Sequence, residues 1–258
     1  MSKPTIIFIH GMRGTHHGLV DVARHLRQSY NVLLPDLPGS GTRAALRNQT
    51  TAGYADWLHQ YITAQKLSQK PIIVAHSMGS IIVSNFLKKY PDDVDPRLIY
   101  LAPVFRDTAN YRRSRRAYRF AKVSLSLPPR CFSYAFERSR LLSFFISHLL
   151  VADKSQQARI DRLHYRYSGR FASHQSFMSD VAIAMLESTW LSDTRPTLVI
   201  FGQQDALTPY QYAQECCKKH NNIQFKLLSD TGHLLNYERP VEVAQLISDF
   251  LRASSTDS

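Results

Sequence analysis

A short apolar run that stops at a serine constrains the fold of this chain more than any other stretch. The apolar residues of 71–75 are followed closely by Ser77, and a second apolar, helix-compatible run continues to about Tyr90. This pattern predicts a buried strand, a very tight turn and a helix. Ala75 and Gly79 are small, which lets the start of the helix pack close to the end of the strand. We expect the serine at the apex of the turn, beside the free backbone N–H groups at the start of the helix, where an oxyanion could bind. The alternative is an ordinary strand-to-helix connection in which the serine only caps the helix.

Five further apolar runs predict strands elsewhere in the chain, at 5–9, 31–35, 98–101, 196–201 and 223–228. Helix-compatible segments alternate with them, at 16–29, 50–67, 209–219 and 240–252. Such alternation predicts an α/β fold in which a mostly parallel six-stranded sheet carries helices on both faces. The carboxyl ends of the strands should meet at one edge of the sheet, where α/β proteins bind their ligands.

The alternation is interrupted between the fourth and fifth predicted strands. Residues 104–193 are helical in composition, aromatic and strongly basic, and they contain no convincing strand. We therefore predict a core built from 1–103 and 194–258, with 104–193 as a helical cap or lid inserted over the carboxyl ends of the strands. A chain of 258 residues is long enough for one large domain with an insertion of this kind.

Most of the excess positive charge lies in this predicted cap. The net charge of the chain is +12, and residues 104–170 contain 15 Lys and Arg against 4 Asp and Glu. A solvated basic face is the simplest interpretation. The alternatives are a docking surface for an acidic partner such as an acyl carrier protein, or for an anionic membrane surface, because opposite charge accelerates association. Nucleic acid is not an expected partner, since no RNA- or DNA-binding motif is present.

The composition also argues against several classes of protein. There is no run of about 18 apolar residues, so no transmembrane segment is predicted. The three cysteines make neither an even set nor a Cys-x-x-Cys pair, and no metal site is expected. No Gly-x-Gly-x-x-Gly follows a predicted strand, so no nicotinamide or flavin cofactor is expected either. The sequence thus predicts a cytoplasmic protein that needs no cofactor.

Three polar residues follow predicted strands at the point where each strand ends: Ser77, Asp205 and His233. A neutral serine hydroxyl is a weak nucleophile. It needs a histidine that takes its proton and a carboxylate that orients the imidazole. Because parallel strands bring their carboxyl ends to one edge, the chain is predicted to assemble nucleophile, acid and base there, in the order Ser, Asp, His.

These residues lie in segments that resemble the motifs of the α/β-hydrolase superfamily. Residues 75–79, Ala-His-Ser-Met-Gly, are similar to its nucleophile elbow, with alanine where glycine is usual. His10-Gly11 resembles its oxyanion-hole loop. Residues 202–205, Gly-Gln-Gln-Asp, resemble the strand end that carries the acid, and Gly232-His233 resembles the histidine loop. The resemblance covers about 4–103 and 194–252 and does not extend to the predicted cap.

The resemblance implies a catalytic role for each of the three polar residues. Ser77 would attack an acyl carbonyl, and His233 would act first as base and then as acid. Asp205 would orient His233. Asp107 is an alternative acid, because some members of the superfamily carry the acid after the fourth strand.

The same resemblance implies an oxyanion hole beside the serine. The backbone N–H groups of Met12 and Met78 would hold the negatively charged oxygen that develops in acyl transfer. His10 and Gly11 would support the loop that carries Met12.

The implied function is a serine hydrolase that cleaves a small-molecule carboxylic ester through an acyl-enzyme intermediate. Two alternatives remain open at this point. One is an ester hydrolase whose substrate is bound to an acyl carrier protein, similar to the pimeloyl-carrier methyl ester esterases of the biotin pathway, with the basic cap as the docking surface. The other is a non-catalytic binding protein on the same fold.

Overall fold

Six parallel strands form the centre of the molecule. The computed structural model describes residues 3–106, 108–126, 135–191 and 194–253. Its strands are β1 (Thr5–Ile9), β2 (Asn31–Leu33), β3 (Ile72–His76), β4 (Leu98–Leu101), β5 (Thr197–Gly202) and β6 (Ile223–Leu228). They pair in the order β2-β1-β3-β4-β5-β6, and every pairing is parallel. The predicted six-stranded α/β fold is confirmed, and its sheet is parallel throughout the described strands.

Burial explains why the central strands read as continuous apolar runs. Every residue of β1, β3, β4 and β5 is buried, whereas β6 at the edge is exposed or half-buried at every position except Leu228. A parallel strand covered by helices on both faces has no solvent side, so both of its faces are apolar. Each fully buried Ile or Val stabilises the fold by roughly 1.5–3 kcal/mol.

Helices lie between consecutive strands and after the last strand. They are α1 (Val20–Leu26), α2 (Thr51–Ala64), α3 (Met78–Lys89), α4 (Thr108–Ser126), α5 (Arg140–Leu150), α6 (Gln157–Tyr167), α7 (His174–Leu186), α8 (Tyr210–Cys217), α9 (Leu235–Glu238) and α10 (Pro240–Ala253). Side-chain oxygens cap the first turns of α2, α5 and α7, from Thr50, Ser139 and Ser173 respectively. None of the helices in the described part of the chain is long and apolar enough to cross a bilayer.

The strand register brings the chemically important loops to one edge of the sheet. Ile9 at the end of β1 pairs with Ala75, and His76 at the end of β3 pairs with Leu101. The loops that follow β1, β3 and β4 therefore begin side by side. β5 also ends at this edge, at Gly202.

The described residues between β4 and β5 form the helices α4 to α7, which we call the helical segment (residues 104–191). It contains no strand among its described residues, apart from a single bridge between Phe171 and Ser40. Its two ends lie together, because the N–H of Thr189 donates to the carbonyl oxygen of Val104 at 2.7 Å.

One predicted helix begins differently in the structure. The sequence predicts one helix over 16–29, but the structure has a 3-10 turn at His16–Leu19 followed by the short helix α1. The carbonyl oxygen of Gly18 accepts a hydrogen bond from Nδ2 of Asn236 at 2.6 Å. A glycine held by a distant side chain favours the tighter turn over a regular helix start.

Candidate active site

Ser77 lies at the turn between β3 and α3 in a strained backbone conformation. Its φ is 51° and its ψ is −123°, in a region that residues with a side chain rarely adopt. Such a conformation costs on the order of 1–3 kcal/mol, so the surrounding structure must hold it in place. The N–H of Ser77 donates to the carbonyl oxygen of Leu101 at 3.0 Å, and its own carbonyl oxygen accepts from the hydroxyl of Ser80 at 2.6 Å.

Two glycines allow this turn to form against the neighbouring strand. A Cβ atom on Gly79 would lie 2.6 Å from the carbonyl oxygen of Ile9, and one on Gly11 would lie 2.8 Å from Cβ of Ser77. Both distances are too short for any side chain. At position 75 the chain has alanine where the superfamily usually has glycine, and that residue is fully buried within β3. The methyl group of Ala75 is therefore accommodated inside the sheet.

The structure brings the three predicted polar residues into one line of hydrogen bonds. Oγ of Ser77 lies 2.9 Å from Nε2 of His233, and Nδ1 of His233 lies 2.7 Å from Oδ2 of Asp205. All three residues are buried, with at most 7% of any of them exposed. Because an ionised carboxylate can only accept, Nδ1 carries the proton, and Nε2 is free to accept from the serine hydroxyl. This tautomer is the one that a general base requires.

Asp205 is held as a carboxylate by its surroundings. Burial alone would raise the pKa of Asp205, but the electrostatic interaction and hydrogen bond with His233, together with hydrogen bonds from Thr208, lower its pKa below the ordinary value. Its Oδ1 accepts from the N–H groups of Leu207 at 2.9 Å and Thr208 at 2.8 Å. An ionised Asp205 balances the charge that His233 gains when it takes a proton.

Thr208 belongs to the site although the sequence analysis did not identify it. Its hydroxyl donates to Oδ2 of Asp205 at 2.7 Å and lies 3.2 Å from Nδ1 of His233. It therefore fixes the position of the acid relative to the base. The available signal was its spacing, since a threonine three residues after an aspartate at the end of a strand can close such a turn.

Glu238 holds the loop that carries His233, and the sequence analysis assigned it no role. Its carboxylate accepts from the N–H groups of Gly232, Ala152 and Asp153, each at 2.9 Å. The N–H of His233 also donates to the carbonyl oxygen of Leu150 at 2.8 Å. The histidine loop is therefore bonded directly to the helical segment.

The loop after β1 lies beside the serine, as expected for an oxyanion loop. Nε2 of His10 accepts from the N–H of Leu37 at 2.9 Å, so Nδ1 carries the proton and donates to the carbonyl oxygen of Gly11 at 2.9 Å. Burial lowers the pKa of His10, which keeps the imidazole neutral. His10 thus fixes the backbone on both sides of the loop and does not contact Ser77 as a second base.

The two N–H groups predicted to hold an oxyanion are free of backbone partners. Met78 begins α3, so its N–H has no preceding turn to bond. Among the described residues no hydrogen bond occupies the N–H of Met12, which lies in a turn closed by Gly14 N–H donating to the carbonyl oxygen of Gly11 at 3.1 Å. Both donors are therefore available to a ligand oxygen.

His76, next to the serine, has a different environment from His233. It is buried, and its Nε2 donates to the carbonyl oxygen of His233 at 3.1 Å. Burial, with the nearby charge of His233 as a second cause, lowers the pKa of His76 to about 3. It is therefore neutral at physiological pH and supports the histidine loop.

A cavity of about 270 Å³ opens on these residues. One side is formed by the loops that carry His10, Ser77 and His233, and the opposite side by apolar residues of the helical segment, among them Ile146 and Met185. The predicted alternative acid, Asp107, lies outside the described residues. No cluster of His, Cys, Asp or Glu that could hold a metal ion occurs within the ranges that the structure describes.

The sheet is parallel, a serine lies at a strained strand-to-helix turn, and a histidine follows the last strand. Together these features define the α/β-hydrolase class of fold. The family model described as alpha/beta hydrolase fold matches residues 4–240. The chain belongs to this family, as its motifs predicted.

Relatives of this chain carry lipase and esterase names. Monoacylglycerol lipase ABHD6 of Homo sapiens is 27% identical over 257 residues, which cover 96% of this chain and 75% of that protein. A thermophilic esterase from Thermogutta terrifontis has a similar structure, with a TM-score of 0.77, 21% identity, and coverage of 98% of this chain and 90% of that chain. A putative lipase from Acinetobacter baumannii gives a TM-score of 0.73 at 21% identity, with coverage of 99% and 86%. These names are consistent with a carboxylic ester hydrolase.

Proposed function

We propose that this chain hydrolyses carboxylic esters through an acyl-enzyme intermediate on Ser77. The observation that carries the proposal is the line of hydrogen bonds from Ser77 through His233 to Asp205, with distances of 2.9 Å and 2.7 Å. This line of hydrogen bonds ends at Ser77, which lines the cavity and lies beside the free backbone N–H groups of Met12 and Met78. A strained, buried serine in contact with a correctly oriented imidazole is the arrangement that nucleophilic acyl transfer requires.

The reaction proceeds in two halves. In the first, Oγ of Ser77 attacks the ester carbonyl carbon while His233 takes its proton, and the carbonyl oxygen becomes an oxyanion held by the N–H groups of Met12 and Met78. The C–O bond to the alcohol then breaks, and His233 gives its proton to the departing oxygen. In the second half a water molecule attacks the acyl carbonyl with His233 again as base. The acyl–Ser77 bond breaks, and the products are a carboxylic acid and the free enzyme.

The helical segment serves as a cap in this proposal. Its apolar residues form one side of the cavity, and Leu150 and Ala152 are bonded to the histidine loop and to Glu238. Such a cover excludes bulk water from the serine and supplies an apolar surface for the substrate. The lipase name of the ABHD6 relative supports an ester of glycerol or of a similarly small alcohol as the substrate class.

An activity-based label tests the proposal. A fluorophosphonate should modify Ser77 and no other serine, and the modified peptide is located by mass spectrometry. Labelling should disappear in Ser77→Ala and weaken in His233→Ala, and hydrolysis of 4-nitrophenyl butyrate should fall by about 10⁶-fold in Ser77→Ala. Ser84→Ala, about two turns further along α3, is the matched control and should keep both properties.

The same experiment separates the two other functions. A folded protein that takes up no label would favour the non-catalytic binding protein and contradict the proposal. A carrier-dependent hydrolase would label normally but would hydrolyse esters efficiently only when they are attached to an acidic carrier protein. The relatives give no support to such a carrier as a partner.

A further inference from the structure

Arg13 is a buried cation in the wall of the candidate active site. It lies two residues after Gly11, so its Cα atom is at most about 7 Å from that of the glycine that packs against Ser77. It lines the same cavity as Ser77 and His233, and only 4% of it is exposed. Burial lowers the pKa of Arg13 to about 10, which leaves the guanidinium charged at neutral pH.

The guanidinium of Arg13 has unused hydrogen-bonding capacity. One nitrogen, Nη1, donates to the carbonyl oxygen of Glu137 at 2.8 Å, whereas Nε and Nη2 have no partner among the residues that the structure describes. The ring of Phe171 lies 5.9 Å from the guanidinium carbon. Arg106, another arginine in the cavity wall, differs, because it donates to the carbonyl oxygens of Glu187 and Ala184 and to the hydroxyl of Ser114.

Glu137 does not complete an ion pair with Arg13. Its oxygen Oε1 lies 2.6 Å from Nδ1 of His174, and among the described residues no carboxylate oxygen lies within 4.0 Å of a nitrogen of Arg13. The charge of Glu137 acts on Arg13 only from beyond contact distance, and a buried guanidinium without a contact ion pair is costly to keep. A cost of this kind at the wall of a ligand cavity points to a negatively charged group of the ligand as the missing partner.

A second unpartnered group lies on the same wall. His164 is 4% exposed and lines the cavity, and its Nδ1 has no hydrogen-bond partner within the described ranges of the chain. Burial, and next the charge of Arg13, lower the pKa of His164 to about 4, so the ring is neutral. Its other nitrogen bonds the backbone of Ser143, which leaves Nδ1 as an acceptor for a ligand hydroxyl. The loop of Arg13 is bonded to the residues just after α6, the helix that carries His164, because the N–H of Gly169 donates to the carbonyl oxygen of Arg13 at 2.8 Å.

We propose that Arg13 is a specificity-determining residue that binds a carboxylate or phosphate group of the substrate, with His164 accepting from a hydroxyl beside it. The inference rests on the proposed ester hydrolysis and names the class of ester: one that carries an anionic group within the cavity. A phosphorylated glycerol ester offers both the anion and the hydroxyl. A dicarboxylic acid half-ester offers the anion alone.

Two matched substrate pairs test the proposal and distinguish the sources of the anion. On the alcohol side, monobutyrylglycerol is compared with monobutyrylglycerol 3-phosphate, and on the acyl side, 4-nitrophenyl hexanoate with mono-4-nitrophenyl adipate. The wild-type protein should have a higher kcat/KM for the anionic member of at least one pair. Arg13→Met should lower the ratio of kcat/KM for that anionic member to kcat/KM for its neutral counterpart by about 10- to 100-fold, because a charge-assisted hydrogen bond to the anion is lost.

Arg166→Met is the control for charge outside the cavity. Arg166 is an exposed residue of an arginine-rich groove that the helical segment forms together with Asp21 and Arg24 of α1. Its replacement should leave the preference unchanged. A preference lost in Arg166→Met and kept in Arg13→Met would overturn the assignment.

The wild-type protein provides a test that does not depend on folding of the variant. Glycerol 3-phosphate should compete with 4-nitrophenyl butyrate at lower concentration than glycerol does, and adipate at lower concentration than hexanol. Equal potency within both pairs of competitors, or equal rates within both pairs of substrates, would overturn the anion subsite. Ser77-dependent hydrolysis of the neutral esters would in that case still stand, so failure of the subsite is distinguishable from failure of the proposed function.

Discussion

Asp205 and Thr208 show how single side chains set the chemistry of the site. The carboxylate of Asp205 accepts hydrogen bonds from two backbone N–H groups, from the Thr208 hydroxyl and from Nδ1 of His233. Its negative charge keeps the proton on Nδ1, and therefore keeps Nε2 open toward Ser77. The distance from Asp205 to His233 matters less than this choice of tautomer.

Asp205→Asn should therefore lower the catalytic rate severely and have little effect on folding. The amide can offer Nδ1 of His233 an N–H donor in place of an acceptor, which favours the wrong tautomer, and kcat should fall by about 10³- to 10⁴-fold. Initial rates on 4-nitrophenyl butyrate, with a thermal melt to verify folding, measure the effect. Asp107→Asn is the matched comparison and should cost little. The reverse result would assign the acid to Asp107.

The sequence could predict that Ser77, Asp205 and His233 converge, because each follows a strand and parallel strands share an edge. It could not predict Glu238, whose partners Ala152 and Asp153 are more than 80 residues away in the chain. Nor could it predict the unpaired guanidinium of Arg13, which depends on where Glu137 and His174 lie. Side chains that act through distant partners leave no local pattern.

At the scale of elements, the junction of β3 and α3 is the most constrained part of the fold. The helix begins directly after the strained serine and lies against the end of β1, with Gly79 facing the carbonyl oxygens of Ile9 and His10. Strand backbone cannot move aside without disturbing the sheet, whose interior is closely packed.

Gly79→Ala should therefore destabilise the protein although alanine favours helices. The new Cβ would lie 2.6 Å from the carbonyl oxygen of Ile9 and 2.8 Å from that of His10. We expect the free energy of unfolding to fall by about 1–3 kcal/mol, together with a loss of activity as the serine is displaced. Urea denaturation measures the change, and Asn85→Ala on the same helix should be nearly neutral. Equal stabilities of the two variants would mean that the turn relaxes freely.

The elements themselves were predictable to different degrees. The buried strands were found within one or two residues because both of their faces are apolar, which leaves an unbroken run in the sequence. The start of the first helix was wrong because a contact between Gly18 and Asn236 decides it. The helices α4 to α7 were expected only as a helical region, since their packing against one another and not their local sequence sets their ends.

At the scale of the whole molecule, buried neutral histidines couple stability to pH. The pKa of His76 is lowered to about 3 and that of His164 to about 4, mainly by burial. The unfolded chain binds protons at these positions below about pH 6.5, where the folded protein does not. Each contributes stability that is present above that pH and is lost as the pH falls toward the folded-state pKa.

His76→Asn isolates one such contribution. His76 faces His233, Asp205 and His10, and none of these changes in the variant. The slope of the unfolding free energy against pH should decrease by about 1 kcal/mol per pH unit between pH 5 and 6, because one proton fewer is taken up on unfolding. Urea titrations at several pH values measure the slope. A slope equal to that of the wild type would contradict the neutral, buried state of His76.

The hydrogen bond between Thr189 and Val104 has a consequence for the history of such a chain. It brings the two ends of the helical segment next to each other, between neighbouring strands β4 and β5. A bridge of a few residues could span that gap, so the whole segment could be shortened, replaced or acquired from another gene without moving a strand. Selection can then exchange one wall of the cavity, and under the proposed function the substrate with it, while the strand ends that carry Ser77, Asp205 and His233 are inherited unchanged.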